Sequence, residues 1–155
     1  MLLADRPSIG IRLLADLGLL PTTIPELLPM VDLRGRPGRR HKDIFEHVMQ
    51  VLDATPPNRE LRWAGLLHDI AKPATKRFDQ KVGWTFHGHE DLGARWIPRI
   101  FKKLKLPLNE HMRFVQTLVR FHLRPIALTK EQITDSALRR LLLTAGNELD
   151  GLIAL

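Results

Sequence analysis

Apolar positions recur every three or four residues along most of this chain, so the pattern predicts helices separated by proline- and glycine-marked breaks. Ser8 to Leu17 sets Ile9, Leu13, Leu14 and Leu17 on one side of a short amphipathic helix, with Ser8 as N-cap and Gly18 as the stop. Pro21, Pro25, Pro29 and Pro37 mark residues 19–42 as connector, with one turn around Glu26 to Leu28. Asp43 to Ala54 carries Ile44, Val48, Val51 and Leu52 at helical spacing and stops at Pro56-Pro57. Glu60 to Ala71 carries Trp63, Leu66, Leu67 and Ile70, and Pro73 is expected to end it. Residues 74–87 alternate weakly around Gln80-Lys81-Val82-Gly83, the pattern of a small hairpin flap. His89 to Leu104 resumes as helix, kinked or split at Pro98. Asn109 to His122 and Asp135 to Ala145 complete the set. The expected fold is all-α, a bundle of six or seven helices with one hairpin flap. Residues 1–42 read as an N-terminal helix and basic connector packed on a domain of residues 43–155. The apolar end Gly151-Leu152-Ile153-Ala154-Leu155 carries no stop signal, and the expectation is a domain truncated there.

Composition narrows the chemistry. A chain of 155 residues, 44% hydrophobic and 26% charged, suits one soluble domain with a real core. No apolar run approaches the roughly eighteen residues a membrane span needs, and the start lacks the blocks of a secretory signal. There are no cysteines, which fits a reducing cytoplasmic location and leaves His, Asp and Glu as the available metal ligands. The formal charge of +7 favours polyanionic partners, because Lys and Arg release counterions from phosphates. Arg34, Arg36, Arg39, Arg40 and Lys42 cluster in one Gly/Pro-broken segment, and Lys102, Lys103 and Lys105 close a later helix. Of these, Arg36, Arg39, Arg40 and Lys42 are the candidate nucleic-acid contacts.

The strongest local signal is Leu66-Leu67-His68-Asp69-Ile70-Ala71-Lys72. Adjacent His and Asp at the end of an apolar helix are costly to bury unless hydrogen-bonded or metal-bound. Imidazole nitrogen with carboxylate oxygen suits a first-row divalent ion. His47, His89 and His122 each fall in phase with the apolar stripe of a separate helix. One such histidine is more often a satisfied core residue than a ligand. Three of them beside a His-Asp pair point to a shared site. His87 lies just outside a helix start, as a flap residue or alternative ligand; His111 is expected to be exposed, and His41 sits in the basic segment.

The order His47, His68-Asp69, His89, His122 resembles the signature of the HD superfamily of metal-dependent phosphohydrolases. Pro7-Ser8-Ile9-Gly10, His41-Lys42-Asp43, Glu46-His47-Val48-Met49-Gln50-Val51-Leu52, Trp84-Thr85-Phe86-His87-Gly88-His89-Glu90 and Thr134-Asp135-Ser136-Ala137-Leu138-Arg139-Arg140-Leu141 narrow it. These phrases look like the HD region of bacterial tRNA nucleotidyltransferases of the CCA-adding and poly(A) polymerase kind. The resemblance implies one or two divalent ions on His47, His68, Asp69, His89 and His122, with Asp69 bridging. It also implies phosphomonoesterase or 2′,3′-cyclic phosphodiesterase activity on nucleotides or RNA ends. In that setting Asp69 and Lys72 are the candidate catalytic residues, and Lys72, Arg77 and His87 are candidates for the substrate phosphate or nucleotide. Two positions depart from the family. Ala71 stands where glycine is usual. The closing aspartate has no clear counterpart: Asp135 reads first as an N-cap, Asp150 is a weak candidate, and the expected ligand lies beyond Leu155. No Asp-x-Asp pair follows a Gly-Ser turn and no P-loop occurs, so the nucleotidyltransferase head that precedes the HD region in such proteins is not expected among these residues. Nucleotide addition by this chain alone is therefore not expected. Two readings compete: a non-catalytic basic module that positions RNA beside a vestigial metal site, and histidines that form only a hydrogen-bonded core.

Overall fold

The computed structural model describes residues 1–31, 43–125, Ser136, Arg139 and 149–155. The basic residues Arg34, Arg36, Arg39, Arg40 and Lys42, with the nucleic-acid assignment resting on them, lie outside the described residues, as do His41 and Asp135. Of the helix expected over Asp135 to Ala145, only Ser136 and Arg139 are described, and both are helical. The described chain is helical apart from one two-stranded hairpin, as the periodicity requires. None of its helices is long and apolar enough to cross a membrane.

Helix α1 (Pro7–Asp16) opens the fold, but with a different face inward from the one expected. Ile9, Leu13 and Leu17 are exposed, while Ile11 is fully buried. Ser8 is not the N-cap: it is buried inside the first turn, where its N–H and Oγ donate to the two carboxylate oxygens of Asp53 at 3.0 and 2.6 Å. Arg12 adds a bidentate pair to Glu46 at 2.5 and 2.7 Å. These polar ties to the next long helix override the wider apolar stripe. Gly18 does end the helix, at φ 67°. The proline-rich stretch holds more order than a connector with one turn: a 3-10 turn over Pro25–Leu27 runs into α2 (Leu28–Val31), burying Leu27 and Met30.

Helix α3 (Ile44–Ala54) starts on Asp43, whose carboxylate accepts from the Glu46 N–H at 3.1 Å. Helix α4 (Arg59–Leu67) starts on Asn58 in the same way and ends at His68, earlier than Pro73 would impose. Pro73 instead sits in the first turn of α5 (Lys72–Thr75), where its missing N–H is harmless. The hairpin pairs β1 (Arg77–Asp79) with β2 (Gly83–Thr85), antiparallel, with Phe78 opposite Trp84. Helix α6 (His89–Lys103) continues through Pro98 as one element, and α7 (Glu110–Phe121) follows on its Asn109 cap. Helix α8 (Leu149–Ala154) lies against α7, with Gly151 close to Phe114 and Leu118.

Helix α7 packs on α6 and α4, and α4 on α3. One apolar core runs from Ile11, Leu20 and Leu27 through Phe45, Met49 and Leu66 to Ile97 and Leu118. The turn between α4 and α5 is pressed into this core. A Cβ on Gly93 would stand 3.3 Å from the Ile70 side chain and 3.4 Å from that of Val119, so glycine lets α6 close on both. Ala71 is accommodated for a matching reason: its φ of −96° needs no glycine, and its side chain is fully buried.

Candidate metal centre

Four elements deliver one polar cluster into this otherwise apolar packing. His47 comes from the middle of α3, His68 and Asp69 from the turn after α4, His89 from the first residue of α6, and His122 from the end of α7. Asp69 is at the centre and fully buried. Its Oδ2 faces His68 Nε2 at 3.2 Å and His47 Nε2 at 3.7 Å. Its Oδ1 faces His89 Nε2 at 3.3 Å and His122 Nε2 at 3.7 Å. The five residues thus form two donor triads that share Asp69, and either could hold a metal ion.

Backbone carbonyls fix which nitrogen of each ring is bare. His68 Nδ1 meets the Gly65 carbonyl at 2.9 Å, His89 Nδ1 that of Phe86 at 2.7 Å, and His122 Nδ1 that of Val119 at 2.7 Å. A carbonyl can only accept, so each Nδ1 carries the proton, and in the neutral tautomer that this selects the Nε2 lone pair is turned toward Asp69. Such carbonyl contacts are the usual way of orienting ligating imidazoles. The result sets acceptor against acceptor, including His89 Nε2 and His122 Nε2 at 3.3 Å. Oδ1 of Asp69 is buried without a hydrogen-bond donor. Lone pairs so converged are stable only around a positive charge. The donor set of imidazoles and one carboxylate fits a divalent cation.

Burial opposes ionisation of Asp69, yet the Lys72 ammonium, and hydrogen bonds from His68 and His89 in the form that carries a proton on Nε2, outweigh it and hold the carboxyl well below the usual range. Burial, aided by nearby His68, lowers His122 to about 4, so this ring is neutral and ligand-competent near pH 7. Lys72 donates to Asp69 Oδ2 at 2.7 Å, which makes it part of the cluster. A cavity of about 400 Å³ opens over His47, His68, Asp69, Lys72 and His122.

Other expected residues fall outside this centre. His87 is exposed beside it, on an open cleft it shares with Lys72 and His89. Arg77 sits on β1, its Nη1 on the Lys76 carbonyl at 3.0 Å. His111 is exposed, as expected, and pairs with Glu60 at 3.1 Å. Asp150 is exposed on α8 and joins neither triad. Periodicity did not single out Leu152 and Leu155, which wall the central cavity from α8.

The sequence profile of the HD domain family matches residues 39–143. This chain belongs to the HD domain family. The chain is 39% identical over 120 residues to the A-adding tRNA nucleotidyltransferase of Deinococcus radiodurans, covering 74% of the chain and 27% of that protein. It is 36% identical over 146 residues to the CC-adding tRNA nucleotidyltransferase of Thermus thermophilus, covering 90% and 33%. The multifunctional CCA protein of Pseudomonas syringae is 30% identical over 112 residues, covering 68% and 26%. The chain therefore spans a third or less of the length of these curated relatives.

Proposed function

We propose that this HD domain is a metal-dependent phosphohydrolase that acts as phosphomonoesterase or 2′,3′-cyclic phosphodiesterase on nucleotides or RNA ends. In this reading it serves within a tRNA nucleotidyltransferase-like protein. The observation that carries the proposal is the buried, donor-less Oδ1 of Asp69, ringed by imidazoles whose protons are committed to backbone carbonyls. His47, His68 and Asp69 would hold one ion, and Asp69, His89 and His122 a second. Bound there, a divalent cation supplies the positive charge that polarises a phosphoryl oxygen and acidifies water near neutral pH. Asp69 orients the centre by dividing its two oxygens between the triads. Lys72, on the cavity wall, is placed to meet a phosphate oxygen once its carboxylate partner is engaged elsewhere. The apolar side chains of Val51, Leu152 and Leu155 exclude bulk water from the same cavity, which strengthens each of these interactions. The relatives named for action on tRNA support an RNA or nucleotide substrate class.

The test is metal content and hydrolysis measured together. The purified chain, dialysed against manganese or nickel, is assayed on a 2′,3′-cyclic nucleotide and a nucleoside monophosphate. Bound metal with turnover that vanishes in Asp69→Asn supports the reading; stoichiometric metal without turnover on either substrate overturns it.

A second reading, a basic module that positions RNA, is favoured by one feature. Arg95, Arg99, Lys102 and Lys103 are exposed along α6 in a chain of net charge +7. Affinity for tRNA that falls steeply with salt would support it; no detectable binding would exclude it.

A further inference from the structure

Glu90 follows the candidate ligand His89 in the first turn of α6. An acid there suits the positive end of the helix dipole, and Asp91 beside it serves that purpose from solvent. Asp91 is 63% exposed and pairs with Arg120 at 3.5 Å. Glu90 is folded the other way. Only 26% of its side chain is exposed, and its Oε2 is buried without a hydrogen-bond donor. A carboxylate oxygen so placed is costly unless positive charge is close. The dipole explains acids in this turn; it does not explain why one of the two turns inward.

The inward direction leads to the metal centre. Glu90 Oε2 lies 3.4 Å from Nδ1 of His89, whose proton is held by the Phe86 carbonyl at 2.7 Å. As the ring stands, the carboxylate is within reach of that N–H but unbonded. The opposite nitrogen of the same ring faces Asp69 Oδ1 at 3.3 Å. Lys72 lines the same cleft, but its ammonium sits on Asp69 Oδ2 at 2.7 Å and makes no hydrogen bond to the buried Oε2 of Glu90. Charge points the same way. Two divalent ions would bring four positive charges to a pair of triads whose one carboxylate is Asp69. Lys72 adds a fifth. A second carboxylate behind His89 offsets part of this excess without occupying a coordination position.

We propose that Glu90 is a positioning residue of the metal centre, its carboxylate accepting the Nδ1 proton of His89 in a hydrogen bond and so favouring a cation on Nε2 of that ring. This rests on the metal-dependent reading and adds a residue that distinguishes its two triads. A cation on Nε2 makes the ring more positive, and a carboxylate is then a stronger acceptor than a carbonyl. An imidazole that donates to a carboxylate is in turn the more basic ligand at its other nitrogen. Glu90 therefore acts on the triad of Asp69, His89 and His122, and makes no contact with His47 or His68.

The experiment reads metal binding rather than turnover. The chain is stripped with a chelator, dialysed and titrated with zinc by calorimetry, as wild type, Glu90→Gln and Asp91→Asn. Glu90→Gln keeps the volume and an acceptor oxygen and removes the charge. It should weaken one class of zinc site by about 10- to 100-fold, the cost of losing such an outer partner, and leave the other unchanged. Asp91→Asn, which removes a charge from the same turn, should leave both unchanged. With isotope-labelled histidine, the NMR signal of the His89 Nδ1 proton should move downfield on zinc loading in the wild type and less in Glu90→Gln. The urea midpoint of the metal-free protein should not fall in Glu90→Gln, because no hydrogen bond to Oε2 is lost. A lower midpoint with unchanged zinc affinity would assign Glu90 to the start of α6 alone and overturn the proposal. Equal weakening by Asp91→Asn would reduce the effect to net charge and overturn it too. A wild type that binds no zinc overturns this role and the metal-dependent reading together, whereas zinc binding that Glu90→Gln leaves intact overturns the role alone. Weakened zinc binding in Glu90→Gln, with no hydrolysis by the metal-loaded wild type, sinks the phosphohydrolase reading and leaves Glu90 its role.

Discussion

The ammonium of Lys72 lies 2.7 Å from Oδ2 of Asp69, on the same oxygen that faces His47 and His68. A cation bound by His47, His68 and Asp69 must share that oxygen with Lys72 or displace it. Two positive charges this close repel by several kcal/mol at the effective dielectric of a partly buried site, about 4 kcal/mol at 4 Å. Lys72→Met keeps the side-chain length and removes the charge. Its expected effect is tighter binding of manganese or nickel, by about tenfold, with slower hydrolysis. Isothermal titration beside a turnover assay separates the two; weaker metal binding would show that Lys72 supports the site rather than competing with the ion.

Asp69 belongs to both triads, so replacing it by Asn should remove both ions while conserving volume. The metal-free fold should tolerate the change, because the asparagine oxygen can still accept from Lys72 while its NH2 donates to a facing imidazole nitrogen. A ligand present at about a hundred times its dissociation constant stabilises a protein by about 2.7 kcal/mol. That increment should appear as a metal-induced rise in melting temperature for the wild type and be absent in Asp69→Asn. A rise of equal size in both proteins would mean that the ion binds elsewhere.

How far the chain could be read in advance depended on the kind of signal. Helices α3, α6 and α7 were legible because each repeats its apolar residues in one phase and starts beside Asp43, Gly88 or Asn109. His47, His68, Asp69, His89 and His122 were legible as a group because each polar residue interrupts such a phase. Helix α1 misled for the opposite reason. Its widest apolar stripe, through Ile9, Leu13 and Leu17, is exposed, and the decisive contacts are the polar ones of Ser8 and Arg12 with Asp53 and Glu46. Periodicity cannot weigh a hydrogen bond to a residue distant in sequence. The Nδ1–carbonyl contacts of the cluster were equally illegible, although each ring reaches only the carbonyl three residues before it, because periodicity does not specify a side-chain rotamer.

The Ser8 tie can be weighed directly. Ser8→Ala removes the 2.6 Å hydroxyl–carboxylate bond and leaves the backbone contact to Asp53 in place. A hydrogen bond to a charged group contributes about 1.5–3 kcal/mol. The urea midpoint should fall accordingly with an unchanged m-value, and metal affinity should not move. Unchanged stability would mean that α1 is held by Ile11 and its apolar neighbours alone.

Acid should loosen the metal-free protein through His122. Its folded value of about 4 lies below the ordinary 6.5, chiefly from burial. Between those two values the unfolded chain binds more protons at this residue than the folded one. Stability is therefore fully present above about pH 6.5 and declines as pH falls toward 4. At 1.36 kcal/mol per unit the decline from this residue is at most about 3 kcal/mol. Asp69, depressed far more strongly, titrates below this window in the folded state and does not flatten it. Urea midpoints of the metal-free chain should drop steadily from pH 6.5 to 4.5, and His122→Gln should drop less over the same range. Parallel pH profiles for the two proteins would show that His122 is not the group whose protonation burial opposes.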